Sequence, residues 1–158
     1  MRRFPDTLYV EFVKRQPCFQ INIGGKLWLV DREYTVISDL KEGPLSGEIT
    51  VYGLLAKDLG IAIGKKIPLP FSSNIVSLLD ELKNQGFSSN FNISSLYAYS
   101  LNDIWFDLDG VEIRVGDTDY KEKLRLLRTL ILPRFESDFS RIRYIDLRFN
   151  PPVMDYKR

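Results

Sequence analysis

Histidine does not occur in these 158 residues, and cysteine occurs once, at Cys18. The first absence removes the commonest general base and the commonest metal ligand. The second excludes an intramolecular disulfide, so packing must hold the fold together. An excess of charge is also missing: 22 Lys and Arg stand against 21 Asp and Glu, a formal net charge of +1. Nucleic-acid binding draws most of its affinity from phosphate neutralisation, and the short basic clusters at Arg2, Lys65 and Lys157 are scattered. Nucleic acid is therefore not an expected partner. No apolar run approaches the ~20 residues that span a bilayer, and no signal-peptide pattern opens the chain.

What is present is an ordinary globular balance, 44% apolar and 27% charged. A chain of this length suits one domain that buries about 70% of its unfolded surface. Thr7 to Lys14 alternates strand formers and stops at Arg15-Gln-Pro17, where proline breaks a ladder. It reads as a lone edge strand or the tail of something upstream, able to form an artefactual dimer by pairing with a neighbouring molecule. Two strands, from Cys18 and from Lys26, flank Gly24-Gly25, a two-residue hairpin turn. Tyr34 to Ile37 is a further short strand. Residues 40–70 carry many turn residues, with a strand at Ile49–Tyr52 and a helical turn at Leu54–Leu59.

Ser73 to Gln85 has the spacing of a helix, with Ile75, Leu78, Leu79 and Leu82 on one stripe, Ser73 as its cap and Gly86 behind it. Such a stripe must cover a sheet. Ile93–Tyr99, Asp103–Leu108 and Val111–Val115 form a meander, with Asp109-Gly110 as a hairpin turn. A second helix follows Gly116. Asp119 and Glu122 have capping-box spacing, Tyr120, Leu124, Leu127 and Ile131 form the stripe, and Pro133 is the stop. Ile142–Phe149 and Val153–Tyr156 are the last strands. The fold class is α+β, an antiparallel or mixed sheet with about two helices on one face.

Several residues invite chemistry and have simpler readings. Asp107 and Asp109 hint at a calcium loop but lack its further oxygen ligands, and a hairpin turn needs no metal. Asp103 with Asp107, or Asp109 with Glu112, could in principle pair as acid and base, yet nothing makes them converge. No enzyme, metal or cofactor is expected. Cys18, among Phe19, Ile21 and Ile23, reads as a buried inert thiol. Trp28 and Trp105 read as core, and Tyr97 and Tyr99 share one strand face and could be surface aromatics available to a partner. By alternation, Phe149 shares a face with Leu147 and Ile145, as a core aromatic or a partner contact. Tyr144, Asp146 and Arg148 occupy the other face, as a solvated polar row or a recognition surface.

Taken in order, these pieces resemble the C-terminal β-domain of the bacterial cell-division family FtsQ/DivIB. Val10-Glu-Phe-Val-Lys-Arg-Gln-Pro17 is similar to the strand and junction that close the family's POTRA domain. Leu29-Val-Asp31 before Tyr34-Thr-Val resembles its early strand pattern, and Asp109-Gly110 leading to Val115-Gly116-Asp117 its glycine-marked stretch before a helix. Tyr144-Ile-Asp-Leu-Arg-Phe149 resembles its strand near the C-terminus.

The resemblance implies a POTRA remnant and junction over residues 1–17 and the β-domain over residues 18–158. It further implies a non-enzymatic divisome scaffold on the extracytoplasmic face of the cytoplasmic membrane, reached through a transmembrane helix outside this sequence. An FtsB/DivIC-type partner, together with FtsL, would dock by strand addition at Tyr144, Asp146, Arg148, Phe149, Val153, Met154 and Tyr156. The chain departs from the family at Asn150-Pro151-Pro152, where two prolines replace a glycine-type turn. From a different class, the alternative is an unrelated α+β binding module using an open edge for another ligand or for homodimerisation.

Overall fold

The computed structural model describes residues 14–53, 60–67, 72–135 and 138–157. The expectations for a strand at Thr7–Lys14 (save Lys14) and a helical turn at Leu54–Leu59 lie outside the described residues.

Among the described residues, nine strands form one mixed sheet: β1 (Phe19–Ile23), β2 (Lys26–Val30), β3 (Val36–Asp39), β4 (Thr50–Tyr52), β5 (Ser95–Ser100), β6 (Asp103–Leu108), β7 (Val111–Arg114), β8 (Ile142–Asp146) and β9 (Val153–Tyr156). Their order across the sheet is β3-β2-β1-β4-β5-β6-β7-β8-β9. Hairpins make the antiparallel pairs. Gly24 and Gly25 join β1 to β2 with φ of 60° and 80°, and Asp109-Gly110 joins β6 to β7 with φ of 50° and 83°. Two positive φ values in succession match the twist of the flanking strands.

Longer connections make the parallel pairs β1–β4, β4–β5 and β7–β8. Between β4 and β5 lie α1 (Ser72–Asn84) and the short α2 (Phe87–Asn90). Between β7 and β8 lies α3 (Tyr120–Leu126), continued by a π-helical stretch Leu127–Ile131 and a last turn Leu132–Arg134. Both crossovers step in the same direction between strands of the same sense. The uniform hand of such connections therefore puts their helices on one face. There Ile75, Leu78 and Leu82 of α1 meet Tyr120, Leu124, Leu127 and Ile131 over Ile21, Val51, Leu96, Phe106 and Ile113. Burying each such side chain fully contributes about 1.5–3 kcal/mol.

The differences from the sequence expectations have local causes. Tyr34 takes φ of 63°, so β3 starts at Val36 and runs to Asp39, two residues later than the alternation suggests. Helix α1 already includes Ser72, so Ser73 lies inside it and is not its cap. Asp119 precedes α3 with φ of 57° and makes no side-chain cap bond, so the capping box does not form. Pro133 does not end the helix before itself. It sits inside the last turn, and the backbone ahead of it widens into the π stretch, so the donor the proline lacks falls where the helical ladder already changes register. Finally, β8 ends at Asp146, and Leu147 and Arg148 are turn.

Candidate functional site

The C-terminal hairpin forms one edge of the sheet. A bulge between Ile142 and Tyr144 lets Ile142 and Ile145 both face the core although they are three residues apart. Leu147 is 3% exposed and its amide donates to the Arg114 carbonyl at 2.8 Å, so contact with β7 persists one residue past β8. Then the chain turns away. Phe149 is 56% exposed, and the strand face it was expected to share with Ile145 and Leu147 ends before reaching it.

The turn is organised by Asp146, whose residue is 3% exposed. Its Oδ1 accepts the Arg148 amide at 3.0 Å and Arg148 Nε at 2.9 Å, and its Oδ2 accepts Arg148 Nη2 at 2.6 Å. Arg148 Nη1 donates to the Asn102 carbonyl at 2.7 Å, in the β5–β6 turn. The row of Tyr144, Asp146 and Arg148 is thus not a solvated polar face. Burial works to raise the Asp146 carboxyl, but the hydrogen bonds and charge of Arg148 outweigh it and hold the group below the usual carboxylate range. Arg148 is raised in turn, chiefly by its hydrogen bond to Asp146.

After Asn150-Pro151-Pro152, β9 pairs antiparallel with β8, Asp146 opposite Val153 and Ile145 opposite Met154. The Lys157 amide donates inward to the Arg141 carbonyl at 2.8 Å. Strand geometry alternates, so the N–H and C=O of Met154 and Tyr156 point outward from the sheet. Met154 lies on the helix-covered side with Ile145, and Val153 and Asp155 lie on the open side. Val153 and Tyr156 are 44% and 47% exposed. The seven sequence-expected site residues therefore separate: Phe149, Val153, Met154 and Tyr156 present apolar surface or free amides, whereas Asp146 and Arg148 are engaged with one another. Tyr144 is half-buried on the open side, with the Arg114 guanidinium over its ring, 4.4 Å from the ring centre.

Sequence reasoning put Tyr97 and Tyr99 on a common outer face but missed that Trp105 joins them. Trp105 is not in the core: it stacks on Tyr97 with ring centres 3.8 Å apart and planes 11° apart, and Tyr52 stacks on Tyr97 at 5.2 Å. Period-two alternation holds the signal, because Trp105 shares a face with Asp103 and Asp107. Trp28, by contrast, packs half-buried against the core, and Cys18 is half-buried beside it, its thiol pushed up by burial.

Three of the four candidate carboxylates have partners within the domain. Asp107 accepts the Gly110 amide at 2.9 Å, Asp109 accepts the Asn92 amide at 3.0 Å, and Glu112 pairs with Arg114 at 2.5 Å. An open cavity of about 510 Å³ beside Phe91, Arg128 and Phe139 includes Asp109 but no second one of these carboxylates. Among the described residues no cluster of three or more His, Cys, Asp or Glu is placed to hold a metal, and no helix is long and apolar enough to cross a membrane.

A mixed sheet covered by helices on one face, whose last strand β9 has no outer partner among the described residues, defines an α+β domain with an open terminal edge. The family model described as "Cell division protein FtsQ/DivIB, C-terminal" matches residues 21–148, and the chain belongs to that family. It is similar to the Cell division protein FtsQ of Anaeromyxobacter sp. (strain K), 29% identical over 154 residues, which cover 95% of this chain and 51% of that protein. The chain thus spans about half the length of the curated relative it matches. The family match stops at Arg148, so Phe149 and β9 lie beyond it.

Proposed function

We propose that this cell-division domain is a non-enzymatic scaffold that takes up a strand from an FtsB/DivIC-type partner, acting with FtsL, along β9. The observation that carries this reading is the coincidence of two features on one hairpin. The backbone groups of Met154 and Tyr156 face outward, and Phe149, Val153 and Tyr156 leave large apolar side chains in solvent. An added strand would satisfy the first and cover the second, with main-chain bonds providing affinity and alternate side chains specificity. Partner residues on the helix side would meet Met154 and Tyr156, and those on the open side Val153 and Asp155.

In this reading the domain works on the outer face of the cytoplasmic membrane and supports septum formation. Residues 1–17 are the junction to a POTRA-type domain, and membrane attachment comes from sequence N-terminal to these residues. Calorimetric titration with the C-terminal segment of the FtsB/DivIC-type partner tests the proposal. Wild type is expected to bind, and Phe149→Ala to bind at least tenfold more weakly, ~1.4 kcal/mol. No binding by folded wild type would refute strand uptake. A stable symmetric dimer in light scattering, sealed by β9, would favour homodimerisation instead.

A further inference from the structure

We infer that Arg148 is a positioning residue that clips the start of the β8–β9 turn across three strand ends, and that it acts on a partner only through Phe149 and β9. Its consequence for binding rests on the strand-uptake reading; its consequence for the free domain does not.

The side chain starts just past the end of β8 and crosses the end of β7 over Gly116. A Cβ built on that glycine would lie 3.3 Å from Arg148 Cγ and Cδ. It finishes at the Asn102 carbonyl, 2.7 Å away, ahead of the first residue of β6. Each of its three guanidinium nitrogens already donates within the domain: Nε and Nη2 to Asp146, Nη1 to Asn102. The fork-on-carboxylate geometry is the strongest form such a pair takes. The Arg148 side chain is 30% exposed and the Asp146 side chain 4%, so the pair is sunk into the turn. A partner carboxylate seeking this arginine would compete with a buried one already in place. Phe149, the next residue, is 56% exposed, so the direction it takes is set where the clip closes.

The test separates positioning from contact. Amide hydrogen exchange is read in the free domain for wild type, Arg148→Ala and Arg148→Lys. The lysine variant keeps the charge and the stem but loses the fork, so it remains informative if the alanine variant does not fold. The Leu147, Arg148 and Val153 amides are expected to exchange at least tenfold faster in the variants, while β5 and β6 amides away from Asn102 stay protected. Titration with the same partner segment is expected to weaken at least tenfold, with its dependence on salt unchanged. A free hairpin that exchanges as in wild type overturns the inference. So does a loss of salt dependence, which would mark Arg148 as a direct charge contact. If wild type binds no partner segment, strand uptake fails while the exchange result still decides the clip.

Discussion

Arg148 lies directly over Gly116, its Cγ and Cδ filling the space a side chain at position 116 would need. Gly116 also takes φ of 66°, the left-handed region that favours glycine. Two stretches 29 residues apart in sequence, Val115-Gly-Asp117 and Asp146-Leu-Arg148, thus form one structure. Gly116→Ala should cost about 1–2 kcal/mol, from the backbone conformation and from displacement of the arginine stem. Chemical denaturation of the purified domain would measure it, and an unchanged midpoint would contradict the contact.

Acid should weaken this domain through Asp146 and Asp31. Burial alone would raise Asp31, but the Thr35 and Glu33 amides and Arg15, at 2.5 Å, bring it below the usual range. Both folded-state values are depressed, so their contribution is present above the unfolded carboxylate value near ~4 and is lost as pH falls through the folded values. Asp146→Asn should therefore reduce stability at pH 7, with the gap to wild type narrowing below about pH 4. Denaturation midpoints across pH 2.5–7 would show it, and a constant gap would remove Asp146 from the acid transition.

Tyr97 and Trp105 should be energetically coupled. Their rings stack at 3.8 Å on the face opposite α1 and α3, where no helix among the described residues packs on them. A double-mutant cycle with Tyr97→Leu and Trp105→Leu should give a coupling of about 0.5–1.5 kcal/mol. A value indistinguishable from zero would mean that the stack fills space without adding stability.

Met154→Pro should leave the domain folded and abolish strand uptake. The Met154 amide points away from β8, so proline there removes no ladder bond within the domain but removes a donor an added strand would use. Circular dichroism and titration together test this. Full binding by the folded variant would exclude β9 as the docking strand. Phe149→Ala, at an exposed position, should change stability by no more than about 0.5 kcal/mol.

Local rules in the sequence reach far into this fold. Glycine and Asp-Gly pairs mark two of the tight hairpins, the stripes from Ile75 and Tyr120 mark the buried faces of α1 and α3, and Asn150-Pro-Pro152 marks the gap before β9. Each depends on backbone sterics or on a period of two or 3.6 residues, which neighbouring residues alone determine. Only tertiary structure decided that β4 lies between β1 and β5, because parallel pairing across long connections leaves no local mark. It also decided the character of the site. Alternation counted forward from Ile145 puts Phe149 inside, but the strand ends when Asp146 captures the Arg148 amide, and that capture depends on the space above Gly116 and the carbonyl of Asn102. The sequence by itself names the residues of the hairpin; which of them clip the turn and which meet solvent is set by contacts with strands more than 30 residues away.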